Sequence, residues 1–506
     1  MAHSTALNGL DRIHTIPLFV NGQPVATETT FSIVNPGTGK EIWRASNASV
    51  EDANKAVASA KAAFPSWSKT KPVVRRDVFL RAASILETRK DELASYMAEE
   101  TGAETKFIDF NISTTASQLR DIAGRISGIQ GSFPTIDEEG RSALVLKEPY
   151  GVILGISPWY IHFMSQNFPP LRITDTTDRN APYILGCRAF SYALAAGNTT
   201  VLKGSELTPR CFHALVDVFH EAGLPAGCLN LLFTRPQDAA EITTCLITNR
   251  AVAKINFTGS DRVGSLIAST AGMHLKPVLL ELGGKATAIV LKDADIKKAA
   301  LGCTLGAFLH SGQVCMGTER VIVHSSIADE FIETLQTTVD AVFPPSMPAP
   351  TMISRASVER VHSLVRDAVG KGASILHGPV DLHSEQSTNG FRPTVVGNVN
   401  PLMDLHYTES FGPVVSLYTF DTEKEALAIA NDTQYGLAGA IFTENLAAGL
   451  RIAKGYETGA VHINNMSIHD EASLPHGGVK KSGFGRFNSN QGLDEFLRTK
   501  IVTWED

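Results

Sequence analysis

The spacing of apolar residues predicts the elements of the N-terminal region. The short segments 18–22 (LFVNG) and 31–34 (FSIV), followed by the turn-forming sequence Asn-Pro-Gly-Thr-Gly, predict a hairpin. From Val50 to Phe64 the apolar positions recur at helical spacing behind a possible Ser49 cap, and the same spacing continues in 72–99. The pattern therefore predicts a hairpin followed by helices.

From residue 151 onward, short apolar runs alternate with segments of helical spacing. Such runs are typical of buried strands in α/β proteins. The predicted strands are 151–157, 200–202, 228–232, 254–257, 278–282, 287–290, 414–420 and 460–463. The predicted helices include 210–222, 294–309 and 327–341. This succession predicts parallel βαβ units, and its return after residue 287 predicts a second α/β domain.

The composition narrows the class of protein and its partners. The chain has 506 residues, of which 43% are hydrophobic and 19% charged, as in a globular protein of about two or three domains. The net charge of −7 is spread along the chain, whereas nucleic-acid phosphates demand clustered cations. The longest apolar stretch, 181–197, contains Arg188 and is too short to cross a bilayer. We expect neither a nucleic-acid nor a membrane partner.

The N-terminal sequence and the cysteines point to a reducing compartment. The first residues, MAHSTALNGLDRIH, lack the basic start and apolar core of a secretory signal, so we expect a cytoplasmic protein. The six cysteines show neither CxxC nor Cys/His metal spacing, so we expect thiols and no metal site. They are Cys187, Cys211, Cys228, Cys245, Cys303 and Cys315.

Cys315 and Glu281 have surroundings that suggest chemistry. Cys315 follows Ser311 and Gly312, which break the preceding helix, and a thiol at a loop-to-helix junction is activated because a helix N-terminus favours the thiolate. Glu281 ends an apolar strand, where burial would raise its pKa and suit a general base. Each has a plainer alternative, a packed structural cysteine and a strand-end glutamate turned to solvent.

Two segments have residues suited to a nucleotide. In 257–264 (FTGSDRVG) a strand ends at a Gly-Ser turn before a helix, so bare backbone amides can receive a pyrophosphate. Lys203 and Glu206 follow another strand, as in a nucleotide-ribose clamp. Taken singly, these segments are also typical of an ordinary turn and a solvated ion pair, and we find no GxGxxG fingerprint.

Taken in order, the motifs resemble the NAD(P)-dependent aldehyde dehydrogenase superfamily from near residue 15 to the end. The sequences HLKPVLLELGGK and GQVCMGTERV are most similar to the salicylaldehyde and vanillin dehydrogenase branch. The motifs are 158–159 (PW), 180–182 (NAP), 203–206 (KGSE), 257–260 (FTGS), 281–284 (ELGG), 312–315 (GQVC), 409–413 (ESFGP) and 482–485 (SGFG).

The resemblance implies an α/β fold of the aldehyde dehydrogenase type. Its Rossmann-type NAD-binding domain would comprise 1–136 and 150–281, and its α/β catalytic domain 282–463. A small β oligomerisation element with the C-terminal tail would comprise 137–149 and 464–506. The resemblance also implies a homodimer or homotetramer.

The resemblance assigns roles to individual residues. Cys315 matches the nucleophile that forms a thiohemiacetal and then a thioester, and Glu281 matches the base that activates water for thioester hydrolysis. Asn180, with the Cys315 amide, matches the oxyanion hole. The cofactor-binding positions are Lys203, Ser205, Glu206, Gly259, Ser260, Gly264, Glu409 and Phe411.

Two positions bear on the cofactor. Glu206 favours NAD over NADP, because a carboxylate suits a ribose diol and repels a 2′-phosphate. Asp261 departs from the family, which often has threonine after Gly-Ser, and its charge near a pyrophosphate is expected to weaken binding modestly.

The function implied is NAD-dependent oxidation of an aldehyde, of the aromatic salicylaldehyde or vanillin kind, to its carboxylic acid. Trp159 and Tyr183 are candidates for the substrate pocket. Two alternatives stay open: a cysteine thioesterase or esterase without redox chemistry, and a catalytically impaired isoform that still binds NAD.

The segment 160–179 (YIHFMSQNFPPLRITDTTDR) separates Trp159 from Asn180, whereas the family has Pro-Trp-Asn without a break. The residues of this segment can be encoded by codons that contain the start, branch and end signals of a short fungal-type intron. Removal of such an intron would restore the sequence Trp-Asn. We interpret the segment as a translated intron, the alternative being a genuine insertion. If present, it is expected to displace Asn180 by more than the roughly 1 Å that catalysis tolerates.

Overall fold

The structure is a computed structural model that describes residues 14–157, 181–379 and 389–505. The strands are β1 (Thr15–Ile16), β2 (Leu18–Val20), β3 (Gln23–Val25), β4 (Thr30–Val34), β5 (Glu41–Ser46), β6 (Arg141–Pro149), β7 (Val152–Ile156), β8 (Thr199–Lys203), β9 (Leu229–Leu232), β10 (Val252–Thr258), β11 (Val278–Glu281), β12 (Ala286–Val290), β13 (Thr318–His324), β14 (Ser374–His377), β15 (Thr394–Gly397), β16 (Val414–Phe420), β17 (Ala438–Phe442), β18 (Ala460–Ile463), β19 (Gly483–Phe484) and β20 (Leu497–Glu505). The α-helices are α1 (Val50–Trp67), α2 (Pro72–Thr88), α3 (Lys90–Thr101), α4 (Thr105–Ile126), α5 (Pro182–Arg188), α6 (Ser191–Ala195), α7 (Pro209–Glu221), α8 (Ala239–Thr248), α9 (Asp261–Met273), α10 (Ile296–Phe308), α11 (Ala328–Val342), α12 (Arg355–Gly370), α13 (Asp404–Tyr407), α14 (Glu423–Asn431), α15 (Leu446–Gly455) and α16 (Ser489–Asp494).

Two large sheets organise the described residues. One has the order β19-β11-β10-β7-β8-β9-β2-β3, and its strands from β11 to β9 run parallel. The other has the order β14-β15-β16-β13-β12-β17-β18 and is parallel from β15 to β18. The predicted parallel βαβ units are confirmed in both sheets.

The remaining strands form smaller assemblies. β1, β5 and β4 make a three-stranded sheet, and β6 pairs with β20 over their whole length as an antiparallel ribbon. Among the described helices, none combines the length and the apolar character that crossing a bilayer requires.

The strands of the large sheets form the core because they are apolar on both faces. Every residue of β7, β8 and β9 is buried, as expected for parallel strands covered by helices on both sides. A single large cluster of apolar side chains surrounds the first sheet, and smaller clusters cover the second. These rigid strands fix the positions of the loops at their carboxyl ends.

The N-terminal predictions were partly right. Ser49 caps α1, and it forms a reciprocal capping box with Asp52, worth about 1 kcal/mol for such caps. The predicted hairpin was wrong in its pairing: β2 pairs with β3 through an Asn21-Gly22 turn, and β4 pairs with β5. Both turn residues have positive φ, which Asn-Gly favours. The predicted helix 72–99 is two helices, α2 and α3, interrupted at Arg89.

Candidate active site

The carboxyl ends of the parallel strands place the predicted residues along one edge of the first sheet. β8 ends at Lys203, β10 at Thr258 and β11 at Glu281. The ends of β10 and β11 are in register, since Thr258 pairs with Glu281 and the Gly259 amide donates to the Glu281 carbonyl at 3.1 Å. In open α/β sheets this edge is where ligands bind.

The turn after β10 leads into the N-terminus of α9, and α9 packs closely against the chain after β11. Ser260 is the N-cap of α9, and its hydroxyl accepts from the Val263 amide at 3.4 Å. A Cβ on Gly264 would lie 2.6 Å from Leu282, so a glycine lets α9 pack against the chain that follows β11. The amides of this helix start are suited to an anion such as a pyrophosphate.

The segment after β8 buries a cation and an anion instead of exposing a solvated pair. Lys203 is completely buried, Glu206 is 3% exposed and Ser205 is 1% exposed. Burial lowers the pKa of Lys203 to about 8, against the opposing effect of Glu206. Neither charge is a surface charge in this structure, which argues against the plainer alternative.

Asp261, the departure from the family pattern, has a partner in the segment between α14 and β17. Its Oδ2 accepts from the Tyr435 hydroxyl at 3.2 Å, and its Oδ1 accepts from the Arg262 amide at 2.8 Å. As the first residue of α9, it also lies where a negative charge is favourable.

Cys315 lies in a turn between a 3₁₀ segment, Leu309–Gly312, and β13. No helix starts at Cys315, so the predicted activation by a helix N-terminus was wrong. The backbone of His310, Ser311 and Gly312 has φ of 51°, 58° and 67°, a left-handed run that turns the chain sharply. The chain uses this turn, instead of a new helix, to bring the thiol back toward β11.

Polar contacts and a glycine hold that turn. The Gln313 side chain accepts from the Ile353 amide at 3.0 Å and donates to the His310 carbonyl at 3.2 Å. A Cβ on Gly312 would lie 2.2 Å from the Gly412 carbonyl oxygen, so the turn packs tightly on the 409–413 loop.

The thiol and the carboxylate come together through the glycines after β11. A Cβ on Gly284 would lie 2.4 Å from the Cys315 carbonyl oxygen, so this backbone approach requires glycine. The Cys315 side chain is partly exposed, and it faces Glu281 closely enough to lower the pKa of that carboxyl. The structure therefore places a reachable thiol beside a buried carboxylate.

Glu281 differs from its predicted electrostatics. The side chain is 1% exposed, and burial by itself raises its pKa. His476, Arg188 and Cys315 outweigh burial, and the net pKa lies below the usual range, so the predicted raised pKa was wrong. Neither carboxylate oxygen has a hydrogen-bond partner among the described residues, and His476 Nε2 lies 3.7 Å from Oε1.

The sequence analysis did not predict the buried ion pair that lies near Glu281. Arg188, at the end of α5, pairs with Asp470 at 2.6 Å, and both side chains are almost wholly buried. Asp470 also accepts from Asn488 at 2.9 Å and from Gln118 at 3.2 Å. The one signal available was Arg188 itself, a charge inside an otherwise apolar stretch.

The loop 409–413 is fixed by a second buried ion pair. Glu319 on β13 accepts from Lys285 Nζ at 2.6 Å, from the Ser410 amide and hydroxyl at 2.8 Å, and from the Phe411 amide at 3.0 Å. Phe411 has φ of +46°, and Glu409 accepts from the Gly284 amide at 2.7 Å. The loop is thus joined to the chain between Glu281 and Cys315.

The other five cysteines have surroundings that disfavour the thiolate. Burial raises the pKa of each, to about 12 in Cys187 and Cys228. Among these five, Cys245 alone is partly exposed. Within the described ranges, no group of three or more His, Cys, Asp or Glu side chains is arranged to hold a metal ion.

Three predicted site residues need separate mention. Asn180 and Trp159 lie outside the described residues, as does the segment 160–179. Tyr183 is completely buried in the main core, and its hydroxyl donates to the Leu93 carbonyl at 2.6 Å. We therefore assign Tyr183 to the core, and its place in a substrate pocket was wrong.

A comparison with protein families decides which family has this arrangement. The model of the aldehyde dehydrogenase family matches residues 23–170 and 178–502. The chain belongs to the aldehyde dehydrogenase family. It is therefore an oxidoreductase acting on an aldehyde, and the predicted family and α/β fold of this type are confirmed.

Individual relatives of this aldehyde dehydrogenase cover nearly the whole chain. A vanillin dehydrogenase of Pseudomonas fluorescens is 38% identical over 498 residues, which are 97% of this chain and 98% of the relative. The crystal structure of a salicylaldehyde dehydrogenase from Pseudomonas putida G7 with salicylaldehyde has a TM-score of 0.90 at 35% identity, covering 97% and 98%. A Staphylococcus aureus betaine aldehyde dehydrogenase with NAD⁺ has a TM-score of 0.87 at 28% identity, covering 97% and 96%.

The family match is interrupted within the segment that the sequence analysis singled out. The interruption covers 171–177, which is shorter than the 160–179 segment expected to be foreign. That the segment 160–179 is a translated intron stays a prediction.

Proposed function

We propose that this aldehyde dehydrogenase oxidises an aromatic aldehyde to its carboxylic acid with NAD, using Cys315 as nucleophile and Glu281 as base. The observation that carries the proposal is the approach of Cys315 to Glu281 across Gly284, beside the strand ends that bear Lys203 and the Ser260 turn. A reachable thiol, a buried ionised carboxylate and a nucleotide edge are the parts that the reaction needs.

The residues of the sheet edge fit a dinucleotide. The α9 N-terminus with Gly259, Ser260 and Gly264 would receive the pyrophosphate, and Lys203, Ser205 and Glu206 would contact the adenosine ribose. Glu409 and Phe411 would support the nicotinamide side. The buried carboxylate of Glu206 favours NAD over NADP, since a 2′-phosphate beside it would be repelled. Bound NAD supplies the acceptor for the hydride that leaves the substrate carbon.

The first half of the reaction forms and oxidises a thiohemiacetal on Cys315. The Cys315 sulfur attacks the aldehyde carbon as the thiolate, the form that the second half of the reaction returns, and the carbonyl oxygen becomes an alkoxide. Asn180 and the Cys315 amide are proposed to donate to this oxygen, and each donor is expected to lower the barrier by about 3 kcal/mol. Loss of hydride from the same carbon leaves a thioester on Cys315.

The second half hydrolyses the thioester. Glu281 takes a proton from water as the water oxygen bonds to the thioester carbon, and the C–S bond then breaks to release the acid and the thiolate. A base for this step must be ionised at neutral pH, and the lowered pKa of Glu281 meets that requirement.

The aromatic substrate rests on the named relatives, a vanillin and a salicylaldehyde dehydrogenase. Trp159 is proposed to line the aldehyde site. NADH formation over a panel of vanillin, salicylaldehyde, benzaldehyde, succinate semialdehyde and betaine aldehyde tests the choice. The three aromatic aldehydes should give the highest kcat/KM, and a preference for either aliphatic aldehyde would contradict it.

Replacement of the nucleophile is the mechanistic test. Cys315→Ala should abolish NADH formation and leave NAD binding intact, because the cofactor contacts lie on other strands. Cys245→Ala, the matched control at the other partly exposed cysteine, should keep full activity. Activity retained in Cys315→Ala, or ester hydrolysis at Cys315 by an enzyme that forms no NADH from any aldehyde of the panel, would contradict the proposal.

The organisation of the chain is part of the proposal. We infer an NAD-binding domain of 1–136 and 150–281, a catalytic domain of 282–463, and an oligomerisation element of 137–149 with 464–506, in a cytoplasmic homodimer or homotetramer. The ribbon of β6 and β20 supports the last element, because Ile501 is 70% exposed and Val502 and Trp504 are also exposed. Ile501→Lys should lower the oligomeric mass in light scattering, and an unchanged mass would contradict the interface.

A further inference from the structure

The buried surroundings of Glu281 contain more charge than the proposed reaction uses. His476, in the loop before β19, is 7% exposed and directs Nε2 toward Glu281 Oε1 at 3.7 Å. Its backbone forms two hydrogen bonds with Phe487, of 2.9 and 2.7 Å, that hold it beside β11. The imidazole is therefore fixed beside the proposed base by its own backbone.

The charges around Glu281 can be counted element by element among the described residues. α5 contributes Arg188, the loop 464–479 contributes Asp470 and His476, and the turn before β13 contributes the Cys315 thiol. Arg188 and Asp470 are already paired at 2.6 Å. Arg188 also lowers the pKa of Glu281, but its direct ion pair is with Asp470, and a buried carboxylate without a counter-charge in contact is costly.

His476 can supply that counter-charge. Its Nε2 has no hydrogen-bond partner among the described residues, and Glu281 is the carboxylate that it approaches. An opposite charge at this distance favours the ionised form of a carboxyl group. A neutral His476 would instead leave Glu281 to take up a proton.

We propose that His476 is a positioning residue for Glu281 which, as an imidazolium, holds the carboxylate ionised and oriented for the attacking water. The inference rests on the proposed role of Glu281 in thioester hydrolysis. In that step the proton of water passes to Glu281, the water oxygen bonds to the acyl carbon, and the sulfur leaves with the C–S electron pair. His476 forms no bond to the substrate and acts through Glu281 alone.

Rapid mixing with NAD and an aromatic aldehyde separates the two half-reactions. The burst of NADH reports acylation, and the slower steady rate reports hydrolysis. In His476→Gln, which removes the charge but keeps a hydrogen-bonding group, the burst should remain. In the plot of hydrolysis rate against pH, the acidic limb should move to higher pH by about one unit or more, because Glu281 is a base only above its pKa.

Two further variants identify charge as the cause. His476→Lys restores a cation and should return the acidic limb toward that of the unmodified enzyme. His462→Gln is the matched control: His462 is also a poorly exposed histidine near this loop, and burial, followed by His469 and His476, lowers its pKa to about 4, so it is neutral in the assay. Its replacement should leave the limb in place.

The outcomes distinguish this inference from the proposed function. An unshifted limb in His476→Gln with the burst intact overturns the positioning role, as does a change confined to KM for the aldehyde, which would make His476 a pocket wall. If the unmodified enzyme forms no NADH from any aldehyde of the panel, the proposed function itself fails.

A second variant serves if His476→Gln does not fold. His476→Asn also removes the charge and keeps a hydrogen-bonding group, so it should move the acidic limb in the same direction with the burst intact. An unshifted limb in a folded His476→Asn overturns the proposal.

Discussion

Glu319 and Glu281 are two buried carboxylates of the candidate active site, and their surroundings differ in kind. Glu319 accepts hydrogen bonds of 2.6–3.0 Å from Lys285, Ser410 and Phe411. Glu281 has no hydrogen-bond partner among the described residues and a single imidazole at 3.7 Å. A carboxylate whose lone pairs are all occupied holds structure together, whereas one kept ionised without hydrogen bonds has lone pairs available for a proton.

The largest difference is expected when each carboxylate is replaced by its amide. Glu281→Gln should keep the first burst of NADH and lose about 10²–10⁴-fold of the steady rate, the usual contribution of a general base. The measurement is stopped-flow NADH absorbance followed by steady-state turnover. A lost burst with NAD still bound would mean that Glu281 also activates Cys315.

The next prediction concerns Asn180, the proposed oxyanion donor, which follows the segment 160–179 in the chain. The chain lacking residues 160–179 should have a kcat about 10²-fold higher, because a displaced Asn180 no longer stabilises the transition state by about 3 kcal/mol. It should also be more stable, since a polar segment between β7 and α5 otherwise requires partners for its backbone groups.

A control segment of equal length shows whether the particular residues of 160–179 or the displacement of Asn180 lowers kcat. Replacing 160–179 by a Gly/Ser segment should leave kcat as low as in the full chain. A full chain that equals the deletion in kcat, or transcripts that retain this segment as the major species, would show a genuine insertion.

Glu319→Gln should act on stability and cofactor binding, and leave the order of the chemical steps unchanged. Breaking a buried ion pair leaves Lys285 unpaired, and such losses lower the free energy of unfolding by about 3 kcal/mol. The 409–413 loop loses its anchor, so KM for NAD should rise more than kcat falls. Denaturant unfolding and NAD titrations measure the two effects. A variant that accumulates acyl-enzyme would contradict the division between the two carboxylates.

Lys203 gives the smallest expected effect, visible as a pH dependence. Its pKa is lowered to about 8, so the ammonium is charged below that pH and neutral above it. The affinity for NAD should therefore fall a few-fold as the pH rises through about 8, while the aldehyde KM stays constant. Lys203→Met should bind NAD weakly at every pH. A pH-independent NAD affinity in the unmodified enzyme would contradict the role of Lys203.

The sequence predicted the parts of the site that local pattern encodes. Strand ends, the Ser49 cap and the Gly-Ser turn before α9 depend on neighbouring residues, and the motif order identified the family. The roles of Cys315 and Glu281 stay predictions. The pKa direction of Glu281 and the environment of Cys315 were missed. They depend on His476 and Arg188, which lie far from Glu281 in sequence and meet it only when β11 and the loop 464–479 pack together.

Tyr183 illustrates the same limit in the opposite direction. An aromatic residue close to a motif suggested a pocket, but α5 buries it against α3. Which side of a short helix faces the core depends on the helices packed against it, and the sequence of α5 is apolar nearly all round.

The most direct measurement of the central claim is the intact mass of Glu281→Gln shortly after mixing with NAD and one aromatic aldehyde. The account predicts one acyl group per chain, mapped by peptide analysis to Cys315, with one NADH formed per acyl group and no such accumulation in Glu319→Gln. A Glu281→Gln chain that carries no acyl group while it continues to release NADH would contradict the account, as would an acyl group on another cysteine.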